Sequence, residues 1–201
     1  MSTPHNGTLV VISAPSGGGK NVIIRSLLER FKHATQLVTT TTRPPREGEV
    51  DGVDYHFITK EAFLKKVEQG EFVEYNQYVD NYYGTEWDVL EHDLATHAVV
   101  FSQAEVTGKQ NLDRAQVPHI SIFLLPENFG VLEARLRRRG GMKEEDIVAR
   151  LEIAKQEIEV SSVYDYRIVN AEGKLNETID AITSYLAETC HIPLLDKEGR
   201  I

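Results

Sequence analysis

Residues 9–28, LVVISAPSGGGKNVIIRSLL, constrain the fold of this chain more than any other stretch. The apolar run at residues 9–12 predicts a buried strand, and the apolar spacing over residues 22–28 predicts an amphipathic helix. Three glycines, Gly17 to Gly19, and Lys20 stand between them. In such a turn the backbone N–H groups converge on an anion, the helix start adds its dipole, and the lysine adds a full charge. This arrangement predicts a phosphate-binding loop.

The spacing of this loop compares with the pattern G-x-x-x-x-G-K-[ST], which falls on Ala14, Gly19, Lys20 and Asn21. Gly19 and Lys20 match the pattern, whereas Ala14 and Asn21 do not. The alternative is a glycine-rich turn that binds no ligand. The predicted strand–turn–helix context favours phosphate binding, because the pattern requires that context.

The rest of the chain alternates predicted strands and helices. Strands are predicted at residues 37–42, 54–58, 72–78, 98–101, 120–125 and 167–170, and helices at residues 59–69, 87–94, 107–115, 128–139, 144–160 and 175–190. This alternation implies an α/β fold with a doubly wound parallel sheet, whose ligands bind at the carboxyl ends of the strands. Residues 38–96 hold too many short strands for one crossover, which predicts an inserted mixed α/β lobe.

Length, charge and cysteine content exclude several classes of protein. The 201 residues suit one α/β domain, and a net charge of −9 argues against a general nucleic-acid binder, which would be basic. No apolar run approaches the length of a membrane span, so no membrane partner is expected. Cys190 is the one cysteine, so no internal disulfide forms, which fits the reducing cytoplasm. We therefore expect a cytoplasmic protein.

A second cluster of polar residues falls in the predicted lobe. Its members are Thr39, Arg43, Arg46, Tyr55, Glu74, Tyr83 and Thr85. Two arginines three residues apart are suited to clamp a phosphate, and two tyrosine hydroxyls are suited to add neutral donors. The alternative is that the arginines are solvated loop charges and the tyrosines ordinary strand aromatics.

Four segments, taken with SAPSGGGK, carry a resemblance to a known family. They are TTTTRPPREGEVDGVDYHF at residues 39–57, EFVEYNQYVDNYYGT at 71–85, RLRRRGG at 135–141 and YDYRIVN at 164–170. Together they closely resemble guanylate kinases, over residues 7 to 190. The resemblance implies a single domain over residues 1–201, with a core at about 7–37, 97–126 and 151–190, a GMP-binding lobe at 38–96, a helical lid at 127–150 and a tail at 191–201. It also implies ATP-dependent phosphorylation of GMP, and of dGMP, to the diphosphate with Mg²⁺ as cofactor.

The resemblance also assigns roles to individual residues. ATP binding would fall on Ala14, Pro15, Ser16, Gly17, Gly18, Gly19, Lys20, Asn21 and Asn170, and GMP binding on Thr39, Arg43, Arg46, Tyr55, Glu74, Tyr83, Thr85 and Glu105. The catalytic charges would be Lys20, Arg43, Arg135, Arg139 and Arg150, the last three in the lid and its hinge. The base-reading roles make chemical sense, because carboxylates accept from guanine N1–H and the 2-amino group, and adenine lacks that N1–H and that amino group.

Three positions depart from the family pattern near the expected metal and base. Asn21 stands where a serine or threonine hydroxyl would hold Mg²⁺, which leaves its amide oxygen as an atypical metal ligand. Gln103 and Glu105 stand where the family has two aspartates, so the metal side loses one negative charge. We expect weaker Mg²⁺ affinity or slower turnover than in a typical member.

Two other functions stay open at this point. One is a guanylate-kinase-like domain that binds nucleotide without turnover, and the other is a related small-molecule kinase such as ribose 1,5-bisphosphate kinase. Neither the oligomeric state nor a role for the tail follows from the sequence.

Overall fold

A computed structural model describes residues 7–78, 80–138 and 143–195, in which strands and helices alternate. The strands are β1 Thr8–Ser13, β2 Ala34–Gln36, β3 Thr40–Thr41, β4 His56–Phe57, β5 Phe72–Tyr78, β6 Asn81–Glu86, β7 Val99–Gln103, β8 Ile120–Leu125 and β9 Tyr166–Val169. The helices are α1 Lys20–Leu28, α2 Lys60–Glu68, α3 Trp87–Thr96, α4 Val106–Arg114, α5 Phe129–Arg138, α6 Glu144–Val160 and α7 Leu175–Ser184. None of these helices is both long and apolar enough to cross a lipid bilayer.

The core is a five-stranded sheet in the order β2-β7-β1-β8-β9, and all its neighbouring strands are parallel. Alternate residues of β1 pack on opposite faces, as strand geometry requires. Val10 and Ile12 pack in one apolar cluster with residues of α1 and α7, and Leu9 and Val11 pack in another with residues of α3 and α4. Helices therefore cover both faces, which confirms the predicted doubly wound fold.

A second, four-stranded sheet has the order β4-β3-β6-β5. It is mixed, because β3 runs parallel to β4 but antiparallel to β6. Phe63 of α2 is fully buried against it and stacks on Phe72 and Tyr82, with ring centroids 4.3 and 5.4 Å away. The predicted inserted mixed sheet is confirmed.

One sequence prediction of local structure is wrong, and another is right in extent but not in helix type. The single strand predicted at residues 37–42 does not form, because residues 34–36 pair with β7 in the core sheet and Thr40 and Thr41 pair in the second sheet. The chain crosses between the sheets at residues 37–39, and a β-branched run gives no sign of such a crossing. The helix predicted at residues 175–190 is α-helical to Ser184 and continues as a π-helical turn, Tyr185–Thr189.

The parallel core brings three loops to one edge of the sheet. β1 ends at Ser13 before the glycine-rich turn, β7 ends at Gln103, and β9 ends at Val169 before Asn170. Ile12 is paired in register with Gln103, so the first two of these strands end side by side. This edge is where ligands bind in open α/β sheets.

Candidate active site

A cavity of about 890 Å³ opens at this edge, between the glycine-rich turn, the second sheet and helices α5 and α6. Most of the residues predicted to bind nucleotides line it: Ala14, Pro15, Ser16, Gly17, Gly18, Gly19, Lys20, Asn21, Thr39, Arg46, Tyr55, Glu74, Tyr83, Glu105, Arg135 and Arg150. Arg43, Thr85 and Asn170 do not line it, and Arg139 lies outside the described residues. The two predicted clusters, far apart in sequence, therefore face one another across a single space.

The glycine-rich turn forms the end of the cavity nearest the core sheet. Gly19 precedes the first residue of α1 with φ 90°, a left-handed conformation that glycine adopts without strain. Gly18 packs closely against the start of the turn, since a Cβ there would lie 2.5 Å from the Ala14 Cβ and 2.9 Å from the Pro15 carbonyl oxygen. The first N–H groups of α1 have no intrahelical acceptors, so they are available to an anion at this end.

Three side chains brace the turn from other parts of the chain. Asn170 is buried and its amide nitrogen donates to the Gly18 carbonyl at 3.0 Å. A guanidinium nitrogen of Arg135 donates to the Asn170 carbonyl at 3.2 Å, and one of Arg150 donates to the Ser16 hydroxyl at 2.7 Å. Asn170 therefore holds the loop from behind rather than facing the cavity.

Charges of both signs meet near the loop. The Lys20 ammonium donates to the Ala14 carbonyl at 2.7 Å and lines the cavity, as do the carboxylates of Glu105 and Glu157. Burial raises the pKa of Glu157 to about 7, Lys20 opposes this rise and Glu105 adds to it. Glu157 is therefore a carboxyl whose charge changes near neutral pH.

The opposite wall of the cavity belongs to the second sheet. Arg46, Tyr55 and Tyr83 line it, with the two tyrosine rings edge to face at 6.1 Å. The guanidinium of Arg43 turns instead to Glu49, at 2.8 Å, and lies 5.4 Å from the centroid of the Tyr55 ring. Arg43 therefore organises the loop that presents Arg46.

Glu74 lies on β5 and points a buried carboxylate into the same cavity. Burial raises its pKa to about 7, although hydrogen bonding from Thr85 and Asn111 opposes the rise. The Thr85 hydroxyl donates to the Glu74 carboxylate at 3.0 Å. Thr85 thus acts on the cavity through Glu74, and its own side chain is buried.

The donors available to Mg²⁺ are oxygens of the amides and carboxylates around the loop. No group of three or more histidine, cysteine or acidic residues among the described positions is arranged to hold a metal ion. Mg²⁺ needs only one or two protein oxygens when nucleotide phosphates and water complete its shell. Asn21 and Gln103 both line the cavity with oxygen-bearing amides, so the donor set fits a weakly held ion.

Sequence analysis missed several residues of the cavity wall, among them Asn76, Arg138, Ile153 and Glu157. Asn76 follows Glu74 by two positions on β5, so strand alternation could have found it. Ile153 and Glu157 follow Arg150 by three and seven positions on α6, which places them on the same helix face. Arg137, near the end of α5, is exposed and pairs with Glu133 and Glu144 at 2.8 and 2.6 Å.

Comparison with known proteins agrees with this geometry. The family model described as Guanylate kinase matches residues 6–189. A guanylate kinase of Nostoc sp. is 39% identical over 167 residues, which cover 83% of this chain and 84% of the relative. A guanylate kinase of Synechocystis sp. is 37% identical over 186 residues, which cover 92% of this chain and 96% of the relative. The crystal structure of guanylate kinase from Anaplasma phagocytophilum superimposes with a TM-score of 0.71 at 29% identity, covering 91% of this chain and 86% of the other. The chain therefore belongs to the guanylate kinase family.

Proposed function

We propose that this protein transfers the terminal phosphoryl group of ATP to GMP, and also to dGMP, in the cytoplasm. The observation that carries the proposal is the single cavity that has the glycine-rich turn and Lys20 at one end, and Arg46 and Glu74 at the other. That arrangement suits two anionic nucleotides that meet head to head. The relatives of this chain that are guanylate kinases support the same reaction.

The donor end of the cavity suits the phosphates of ATP. Residues 14–21 would surround these phosphates with backbone N–H groups, and Lys20 would bring a full positive charge to them. Arg150 and Arg135 reach this end from α6 and α5. Their guanidinium groups would stabilise the negative charge that spreads over the transferred group, and Arg139 is proposed to join them.

The acceptor end suits GMP. Arg46, Tyr55 and Tyr83 would hold its phosphate, with Arg43 supporting them through the Arg43–Glu49 ion pair. The acceptor oxygen of GMP would then point toward the donor end, and we expect no side chain to act as a nucleophile. Catalysis then comes from alignment and charge neutralisation, because phosphoryl transfer asks little else of a protein.

The base of GMP would lie against Glu74, Glu105 and Thr39. The two carboxylates accept hydrogen bonds from guanine N1–H and its 2-amino group, and the threonine hydroxyl donates to O6. Adenine would leave a buried carboxylate without its donor, at a cost of roughly 1–3 kcal/mol per unmet group. The site therefore favours guanine by hydrogen bonding rather than by size.

Mg²⁺ bound with ATP would neutralise the developing charge and help to align the phosphates. Asn21 and Gln103 are the residues proposed to hold it. Because both are neutral amides, the ion is expected to bind more weakly than at a site with a carboxylate.

A coupled assay of ADP release tests the proposal directly, with GMP, dGMP, AMP, CMP, UMP and ribose 1,5-bisphosphate as acceptors and Mg²⁺ titrated from micromolar to millimolar concentrations. Turnover selective for GMP and dGMP is the expected result. Binding of GMP without turnover at any Mg²⁺ concentration would instead indicate a binding domain. Turnover of ribose 1,5-bisphosphate in place of GMP would indicate the small-molecule kinase, whose acceptor has no base to engage Glu74.

A further inference from the structure

Helix α4 begins at the base-reading end of the cavity, where Glu105 and Gly108 line the wall. Glu105 precedes the helix, and Gly108, Asn111 and Arg114 follow at intervals of three. Residues three apart lie near one another on a helix surface, so Gly108 and Asn111 share one side of α4. This side packs against β5, the strand that carries Glu74.

Gly108 allows the helix to lie close to the carboxylate of Glu74. A Cβ built at Gly108 would stand 3.5 Å from Glu74 Oε2 and 3.2 Å from the Ala104 Cβ. The backbone of α4 is thus separated from the carboxylate by no more than the space of one methyl group. Asn111 lies three residues after Gly108, about one turn further along α4.

The amide of Asn111 is held in one orientation by its neighbours. A guanidinium nitrogen of Arg114 donates to its oxygen at 2.7 Å, which turns the amide nitrogen toward β5. That nitrogen donates to the Tyr75 carbonyl at 3.4 Å and acts on the adjacent Glu74 carboxyl as a donor that lowers its pKa. Thr85 and Asn111 are the side chains whose hydrogen bonding lowers the pKa of the Glu74 carboxyl, and neither is charged.

We propose that Asn111 is a positioning residue for base selectivity, because it orients the Glu74 carboxylate from the side of α4 while Thr85 orients it from the side of β6. Helix α4 would then contribute to guanine binding in two ways, directly through Glu105 and indirectly through Asn111. The inference rests on the proposed function, since it concerns how the same cavity selects guanine.

Two substitutions separate orientation from packing. Asn111→Leu keeps the approximate size of the side chain but removes the donor, and Asn111→Asp keeps the shape and the contact with Arg114 but replaces the donor by a negative charge. Gln110→Leu is the matched control, because it makes the same amide-to-alkyl change one position earlier, turned by about 100° around the helix. Thermal unfolding of each variant confirms that it is folded.

The expected result is a split between binding and turnover. The KM for GMP should rise roughly tenfold in Asn111→Leu and more in Asn111→Asp, the scale of one lost hydrogen bond to a charged group. The kcat at saturating GMP should stay within about twofold, and kcat/KM for AMP should not change, so that the selectivity for GMP over AMP falls. The acid limb of kcat/KM for GMP should also move to higher pH, because the carboxyl loses a donor that favours its ionised form.

Two outcomes would overturn the proposals, and they differ. If the unmodified protein shows no selectivity for GMP, the proposed function itself fails. If it is selective but both Asn111 variants keep its KM, its selectivity and its pH profile, the function stands and the role of Asn111 is refuted. A merely structural role would give lower thermal stability with an unchanged pH profile, and that result refutes it too.

Discussion

The buried carboxyl of Glu74 should make the protein less stable as the pH rises. Its pKa is about 7 in the folded chain, against an ordinary value of 4.5, and burial is the main cause. Between these two values the folded state binds a proton at Glu74 that the unfolded state has lost, so the contribution of this group to stability is greatest below about pH 4.5 and is lost as the pH rises through 7. The difference amounts to about 3 kcal/mol once both states are ionised, at about 1.4 kcal/mol per pKa unit.

Glu74→Gln removes this penalty while keeping an oxygen that accepts from Thr85. We expect the variant to exceed the unmodified protein in free energy of unfolding by about 3 kcal/mol at pH 8 and by less than about 1 kcal/mol at pH 5. Its KM for GMP should rise at the same time, because an amide nitrogen replaces an acceptor. The gain in stability and the loss of function would have one physical origin, the desolvated charge.

Urea unfolding at pH 5, 6.5 and 8 measures the effect, with GMP-dependent activity assayed in parallel. Glu91→Gln is the matched control, because Glu91 is an exposed acid on α3 and its loss should change stability little at any pH. A gain for Glu74→Gln that is equal at pH 5 and pH 8, or a loss at pH 8, would refute the reasoning.

Three further predictions concern the two ends of the cavity. Arg46→Ala should raise the KM for GMP roughly 10- to 100-fold with little change in Tm. Arg43→Ala should raise the KM less and lower the Tm, because the Arg43 side chain is paired with Glu49 in the loop. Steady-state kinetics and thermal unfolding of the two variants measure the difference. Asn21→Ser combined with Gln103→Asp should raise the rate at limiting Mg²⁺, and an unchanged rate would contradict the weak metal site. Asn170→Ala should cost roughly 1–3 kcal/mol in urea unfolding and raise the KM for ATP, because it leaves a buried carbonyl of the phosphate loop without a donor; equal stability would show that the brace is dispensable.

The phosphate loop was predictable from the sequence because everything that shapes it is local. A buried strand, left-handed glycines and a helix start follow one another within residues 8–28, and each depends on near neighbours in the chain. The parallel core was also predictable, because alternating strands and helices admit few topologies. The strand predicted at residues 37–42 was wrong because its outcome depends on which of two sheets each half joins, and that choice is made by contacts with β7 and β6.

The two predicted clusters could be related to one another from the sequence only through the family resemblance. Arg43 and Arg46 have the same side chain and the same loop, yet one pairs with Glu49 and the other faces the cavity, a difference decided by the fold of residues 43–49. The sequence predicts that Thr85 contacts the base, and in the structure its hydroxyl donates to the Glu74 carboxylate. In both cases, the residue type determines which interactions a side chain can make, and packing determines which atom the side chain contacts.

Glu157 shows most clearly why burial cannot be obtained from sequence patterns. Its spacing from Arg150 and Ile153 fixes a shared face of α6, but the direction of that face depends on how α6 packs against α5 and the core. Only that packing puts its carboxyl beside Lys20 and Glu105 and raises its pKa to about 7. Glu74 reaches a similar pKa at the other end of the cavity, in a strand with no helical spacing at all. The cavity therefore has an ionisable carboxyl at each end whose charge is set near neutral pH by desolvation, and desolvation is a property of the assembled fold rather than of any segment.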